Sequence, residues 1–162
     1  MTRKLNSGTD HYASWMKGVY CLLMVLDEDA SIRVGALGGA EFPRGVYAYV
    51  GSAQRGIEQR VRRHLLNGKK RRWHIDYFLS VARVATVVSI PTLDRSTECL
   101  IARNLLNSPG AEAVAKGFGS SDCSCVTHLI HFSGEDIGLL LEEVAGRISM
   151  LCTPYPETVK GG

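Results

Sequence analysis

Gly45-Val46-Tyr47-Ala48-Tyr49-Val50-Gly51 alternates its side chains with a period of two. Tyr47, Tyr49 and Gly51 fall on one face of a strand, and Val46, Ala48 and Val50 on the other. One face is therefore purely aliphatic, and the other carries two phenols. Upstream, the apolar run Gly18 to Leu26 ends at Asp27-Glu28-Asp29 and reads as a buried strand followed by a turn.

The rest of the chain supplies the partners of these two strands. Ser31 to Leu37 reads as a strand closed by Gly38-Gly39. Gly56 to Asn67 reads as a helix with a core stripe of Ile57, Val61 and Leu65, stopped by Gly68. A second helix is expected over Trp73–Ala82 and a strand over Arg83–Ile90. A third helix is expected from about Arg95 to Asn107. Gly110 to Ser121 reads as loop, Val126 to Phe132 as a last strand, and Asp136 to Ile148 as an amphipathic helix. The order β-β-β-α-α-β-α-β-α predicts an α/β (α+β) domain, with a small, mainly antiparallel sheet flanked by helices. The expected division is a polar leader over 1–17, the main unit over 18–132, and a C-terminal helix and tail of the same domain over 133–162.

Apolar residues make up 45% of the 162 and charged residues 22%, an ordinary balance for one core. The longest apolar run, Val19 to Leu26, is far too short to cross a bilayer, so no membrane is expected as a partner. The net charge of +3 is small, but its distribution is not even. Arg55, Arg60, Arg62, Arg63, Lys69, Lys70, Arg71 and Arg72 lie in one stretch against a single acid, Glu58, which leaves the remainder net negative. A concentrated cationic patch suits a polyanion, or else a solvated surface run. The five cysteines are odd in number and no apolar leader precedes them, so reduced thiols in a cytoplasmic protein are expected.

Several polar residues sit against core logic. Glu98 lies on the helix stripe formed by Ile101, Ala102 and Leu105. A carboxylate there costs several kcal/mol unless it is paired or holds a metal, or else it escapes to solvent from the first turn. Arg60 and His64 are one helical turn apart and could converge on one phosphate. The bland reading is a basic solvent face. His74, within Trp73-His74-Ile75-Asp76, reads first as a structural histidine.

Gly18-Val19-Tyr20 and Tyr49-Val50-Gly51 resemble the paired strand motif of the GIY-YIG nuclease superfamily. The order Arg60, His64, His74, Glu98 is similar to the arginine, histidines and metal-binding glutamate of that family. The chain most resembles its Uri-type branch over about Gly18 to Phe132. The segments that carry this are Tyr49-Val50-Gly51-Ser52-Ala53, Trp73-His74-Ile75-Asp76-Tyr77, Glu98-Cys99, and Gly117 to Cys125 with His128-Leu129.

The resemblance implies a metal-dependent endonuclease that hydrolyses phosphodiester bonds, with DNA a more natural substrate than RNA. It implies that Glu98 binds one Mg²⁺ (or Mn²⁺), an ion satisfied by a single protein carboxylate plus waters and substrate oxygens. Arg60 would stabilise the developing charge, and Tyr20 would be the base or act through its phenolate. Tyr49 would orient the water, and His64 would relay the proton or touch the phosphate, with His74 completing the catalytic set. A phenol with a pKa near 10 is a poor base, so Arg60 or the metal is expected to lower it. Gly51, Ser52, Arg63, Lys69, Lys70, Arg71 and Arg72 would contact the nucleic acid. Gly45-Val46-Tyr47 spells the first motif equally well, but it shares a strand with Tyr49, so Tyr20 is preferred. Asn104 and Asn107 are both off the spacing expected for the family's asparagine, which is left unassigned.

Cys123-x-Cys125-x-x-His128 has metal-ligand character, with Cys99 or Asp122 able to complete it. The tight C-x-C spacing and the borrowed fourth ligand argue against a structural zinc and for a packed turn. Two other functions fit the same residues. One is a binding module that holds nucleic acid on the 55–72 patch without cutting it. The other is an accessory subunit of a DNA-repair enzyme.

Overall fold

The computed structural model describes residues 16–152, so the expected leader over 1–17 lies almost wholly outside the described residues. Seven strands and four α-helices follow in chain order. They are β1 (Gly18–Leu26), β2 (Ala30–Arg33), β3 (Gly39–Phe42), β4 (Gly45–Ala53), α1 (Ile57–Leu65), α2 (His74–Phe78), β5 (Arg83–Pro91), α3 (Thr97–Leu106), β6 (Ala111–Glu112), β7 (Leu129–Phe132) and α4 (Ile137–Cys152). Five strands form one sheet in the order β5-β1-β4-β7-β6, and every pairing in it is antiparallel. The fold is α+β, as the alternation of elements predicts.

The two motif strands are the centre of this sheet. β1 and β4 pair along their full length, with Tyr20 opposite Gly51, Leu22 opposite Tyr49 and Met24 opposite Tyr47. The period of two then sorts the core into two layers. Tyr20, Leu22, Met24, Tyr47 and Tyr49 pack on one face with Ile57 of α1 and Ile75 and Phe78 of α2. Val19, Cys21, Leu23, Val46, Ala48 and Val50 pack on the other with Ile101, Ala102 and Leu105 of α3 and Val144 and Ile148 of α4. Each fully buried Leu, Phe or Val in these layers contributes about 1.5–3 kcal/mol of hydrophobic free energy.

Some expectations need correction. The strand expected over Ser31–Leu37 is β2 followed by a 3₁₀ turn at Gly35–Leu37, after which β3 returns as a hairpin partner. Gly35 and Gly38, both at positive φ, make the turn. The helix expected over Trp73–Ala82 is one short turn. The strand expected from Val126 begins only at Leu129, because the preceding backbone bonds elsewhere: Gly117 N–H to Val126 O at 2.7 Å, and His128 N–H to Phe118 O at 2.8 Å. β6 is a two-residue strand inside the expected loop, and α4 runs on to Cys152. No helix among the described residues is long and apolar enough to cross a membrane.

The α1 stripe also differs. Ile57 is buried and Val61 packs against the core, but Leu65 is 54% exposed while His64 is buried. A histidine takes the inward position at the end of this helix because polar partners wait for it there.

Candidate active-site cleft and a cysteine–histidine cluster

The phenol face of the β1–β4 pair opens into a cleft of about 330 Å³. Tyr20, Tyr49, Ser52, Arg60, Arg72, Trp73, His74, Glu98, Gly119, Ser121 and Asp122 line it. Strand alternation delivers the two tyrosines, whose ring centroids are 6.4 Å apart. Gly51 is required here because a Cβ would sit 2.5 Å from the Tyr20 hydroxyl. Its use is thus to make room for Tyr20, rather than for a phosphate. Gly119, at φ +67°, brings the 117–128 loop against the Tyr49 ring, where a Cβ would sit 2.9 Å from a ring carbon. Tyr47 lies away from the cleft, buried against Phe42, Phe78 and His131, with its hydroxyl donating to Pro43 O. Of the two first-motif tyrosines, the cleft receives Tyr20.

His64 does not reach the cleft. It is buried behind Tyr20, and 2.7 Å separates the Tyr20 hydroxyl from His64 Nε2. Its Nδ1 faces the Asp76 carboxylate at 3.9 Å, too far for a hydrogen bond. That carboxylate favours the tautomer with the proton on Nδ1, which leaves Nε2 to accept from Tyr20. Asp76, fully buried, is the organising group. It accepts both guanidinium NH groups of Arg63 at 3.0 Å and the backbone N–H groups of Arg72 at 2.8 Å and Trp73 at 3.1 Å. Burial alone would raise its pKa, but the bonds from Arg63, Arg72 and Trp73 win and hold it low. Asp76 is not among the site residues that the sequence suggests. Its position two residues after His74, in the first turn of a helix, was the available signal.

Burial lowers the His64 pKa to about 4, against the pull of Asp76 and with Arg60, Arg63 and Lys69 adding to the effect. The consequence for stability has a definite sign. A histidine held neutral in the fold stabilises it above the ordinary value of 6.5, and that contribution is lost as pH falls towards 4. Stability should therefore decline by about 3 kcal/mol from this group between pH 6.5 and 4. His74, also lowered by burial, acts in the same sense, and His128, which burial would lower but Glu98 and Cys123 together raise, acts in the opposite one. Urea unfolding across this range should show the decline, and His64→Gln should flatten it.

Much of the basic stretch is already engaged. Arg63 is held by Asp76 and by Lys70 O, so it is not free for a phosphate. Lys69 caps α1 through the carbonyls of His64 and Leu66. Arg62 pairs with Glu58. Arg60 and Arg63 both stack on Trp73, their guanidinium carbons 4.3 and 4.1 Å from the ring centroid. Arg71 lies 5.3 Å from the Tyr77 ring centroid. Among the predicted nucleic-acid contacts Arg72 lines the cleft, with Ser52 beside it, and Lys70 is exposed.

The two cleft tyrosines are not prepared as phenolates. Burial raises Tyr20 well above 10, and Tyr49 and Glu98 add to this, outweighing Arg60. Burial and Glu98 raise Tyr49 in the same way. The expectation that Arg60 lowers a tyrosine pKa is corrected: its pull is present, but desolvation is larger. His74 Nδ1 accepts the Gly119 N–H at 3.0 Å, so the proton of this neutral ring sits on Nε2.

Glu98 occupies the first turn of α3, and its side chain is 21% exposed. Its Oε1 accepts from His128 Nδ1 at 2.9 Å, which leaves the second carboxylate oxygen available. Beyond Glu98 a neighbouring pocket of about 530 Å³ shares Ser52, Glu98 and Asp122 with the cleft and is floored by Cys99, Cys123 and His128. Asn104 is exposed and bonds its own helix at Leu100 O.

Cys99, Cys123, Cys125 and His128 form a cluster that could hold a metal ion, with their ligand atoms all within 4.8 Å of one another. His128 Nε2 lies 3.5 Å from Cys123 Sγ and 3.9 Å from Cys99 Sγ. The fold thus gathers four side chains whose spacing in the chain is not that of a usual zinc motif. Of the two candidate completing residues the fold delivers Cys99, from α3, while Asp122 turns to the cleft. The Cys99 thiol is pushed up to about 12, by burial first and then by the thiols of Cys125 and Cys123.

Residues 19–149 match the family described as a domain of unknown function, DUF123. The chain belongs to this family. No curated protein and no solved structure matches it. The matched span takes the DUF123 domain from the first motif strand to near the end of α4, so both cleft and cysteine cluster lie within it.

Proposed function

We propose that this DUF123 domain is a metal-dependent endonuclease of the GIY-YIG type, acting on DNA in preference to RNA. The observation that carries the reading is the convergence of Tyr20, Tyr49, Arg60, His74 and Glu98, from β1, β4, α1, α2 and α3, on a single cleft. No packing requirement gathers an arginine, a histidine and a carboxylate at the open end of two tyrosines.

The donor set fits a hard divalent cation. Glu98 keeps one carboxylate oxygen uncommitted and the exposed acid Asp122 shares its cleft, which is the small complement Mg²⁺ or Mn²⁺ accepts. When bound, such an ion would polarise the phosphate and neutralise developing charge. Arg60 would add a second positive charge on the non-bridging oxygens, held in place by the Trp73 ring. His74 would donate its Nε2–H to a phosphate oxygen. Tyr49 would orient the attacking water.

Tyr20 acts in its neutral form. Its oxygen would take a proton from water as its own proton passes to His64 Nε2, 2.7 Å away, and Asp76 would stabilise the resulting imidazolium. Tyr20 is thus the group that meets substrate, and His64 and Asp76 are positioning residues behind it.

The test is cleavage of labelled single-stranded, duplex, flap and branched DNA and RNA with Mg²⁺ or Mn²⁺. Wild type should cut at least one of these, and Tyr20→Phe should cut it about 10²–10⁴-fold more slowly while binding it equally well. Binding by both proteins with cutting by neither, under either metal, would replace the nuclease with a binding module. Such a module would then lose affinity on removal of Arg60 and Arg72. Cutting that appears only when a DNA-repair enzyme is added would make the chain an accessory subunit.

A further inference from the structure

We propose that Cys99, Cys123, Cys125 and His128 hold a single structural zinc ion that fastens α3 to the 117–128 loop. The inference is independent of the nuclease reading. Three thiols and an imidazole are a donor set characteristic of closed tetrahedral zinc sites, with no position left for substrate.

The distances select one ion. Ligand atoms around a tetrahedral zinc lie about 3.4–3.8 Å apart. The Cys123 Sγ–His128 Nε2 and Cys99 Sγ–His128 Nε2 separations are 3.5 and 3.9 Å, and none in the cluster exceeds 4.8 Å. An iron–sulfur cluster would hold its outer ligands apart by the width of its inorganic core, which this span does not admit. Cysteines acting merely as small apolar residues have no reason to converge with a histidine nitrogen on one point.

The surroundings fit as well. His128 is buried and donates its Nδ1–H to Glu98, the carboxylate–histidine arrangement that fixes a ligand's tautomer and aims its other nitrogen at a metal. The backbone of the loop is shaped to turn its cysteines together. Cys123 N–H bonds Ser120 O at 3.3 Å, and Gly117 and Gly119 turn the chain at positive φ. Arg103 of α3 donates to Ser124 Oγ at 3.2 Å, between the two loop cysteines. Binding would displace the thiol protons and replace three S–H groups with metal–thiolate bonds. The ion would also set the placement of Glu98 and Gly119 along the cleft.

The full chain, purified without chelator or histidine tag, should carry one zinc and no iron by elemental analysis. Replacing zinc with Co²⁺ should give the intense visible bands of tetrahedral coordination together with thiolate-to-cobalt charge transfer. Cys99→Ser and Cys123→Ser should each lose the stoichiometric metal, while Cys21→Ala, in the core layer beneath α3 and outside the cluster, should keep it. Glu98→Ala should weaken zinc about 10–100-fold in competition with a chromogenic chelator. If the ligand variants fail to fold, the Co²⁺ spectrum of the wild type decides alone. Metal-free protein that takes up neither zinc nor cobalt would overturn the proposal. So would stoichiometric iron, a cobalt spectrum without thiolate charge transfer, or a disulfide joining two of these cysteines in protein purified under reducing conditions.

Discussion

Glu98→Ala is expected to slow phosphodiester cleavage by about 10³-fold or more, the several kcal/mol that a Lewis-acidic ion supplies to a charged transition state. Nucleic-acid binding should change little, because Arg60 and Arg72 remain in the cleft. Alanine alone leaves an ambiguity, since Glu98 also holds His128 Nδ1 at 2.9 Å and its removal disturbs the cysteine cluster. Glu98→Gln separates the two effects. Its amide oxygen can still accept from His128, so zinc content should stay near one per chain while the charge needed for Mg²⁺ is gone. Cleavage kinetics and zinc content measured on the same preparations give the answer. A glutamine variant that keeps both zinc and full activity would remove Glu98 from the catalytic role.

Asp76→Ala should cost about 3–5 kcal/mol of folding stability, read as a shift in the urea midpoint. The size follows from what the carboxylate holds together. It accepts two bonds from Arg63 and two backbone N–H groups at the start of α2, and its charge faces His64 Nδ1. Removing it leaves the Arg63 guanidinium without a countercharge, with Lys70 O still an acceptor, and deprives the N–H groups of Arg72 and Trp73 of their acceptor. Asp76→Asn should cost less, because the amide oxygen can still accept from the backbone. It should also loosen Trp73, against which Arg60 stacks, so cleavage should fall even where the protein remains folded. A variant as stable as wild type would mean that Arg63 finds another acceptor.

Much of the fold is legible in the chain. The alternation at Tyr47, Tyr49 and Gly51 against Val46, Ala48 and Val50 assigns each residue to its face, and the structure places the aliphatic set under α3 and α4. The stripe of Ile101, Ala102 and Leu105 is buried as its spacing predicts. The candidate site is legible only through the resemblance to a family, since His74 alone reads as structural and Arg60 with His64 as a solvent face. Of the six catalytic residues that the family resemblance implies, Tyr20, Tyr49, Arg60, His74 and Glu98 line one cleft and His64 lies behind it. The β2–β3 hairpin is not legible: Gly38-Gly39 looks in sequence like the end of a strand, whereas Gly38, at positive φ, helps reverse the chain and Gly39 opens β3.

What the sequence determined by itself is therefore the period: which side chains share a strand face, and which side of α3 is apolar. That information is local, set by the two- and 3.6-residue repeats of the backbone. Only the tertiary structure decided where the polar groups find partners. His64 turns inward in place of Leu65 because Asp76 and Tyr20, 12 and 44 positions away, meet it there. Arg63 is withdrawn from the surface by the same carboxylate, although nothing in its spacing distinguishes it from Arg60. Cys99 reaches Cys123, Cys125 and His128 because the loop after β6 folds back onto the first turn of α3. A buried charge or thiol is stable only with a partner in reach. Reach between distant residues is a property of how the strands and loops pack, and no repeat along the chain encodes it.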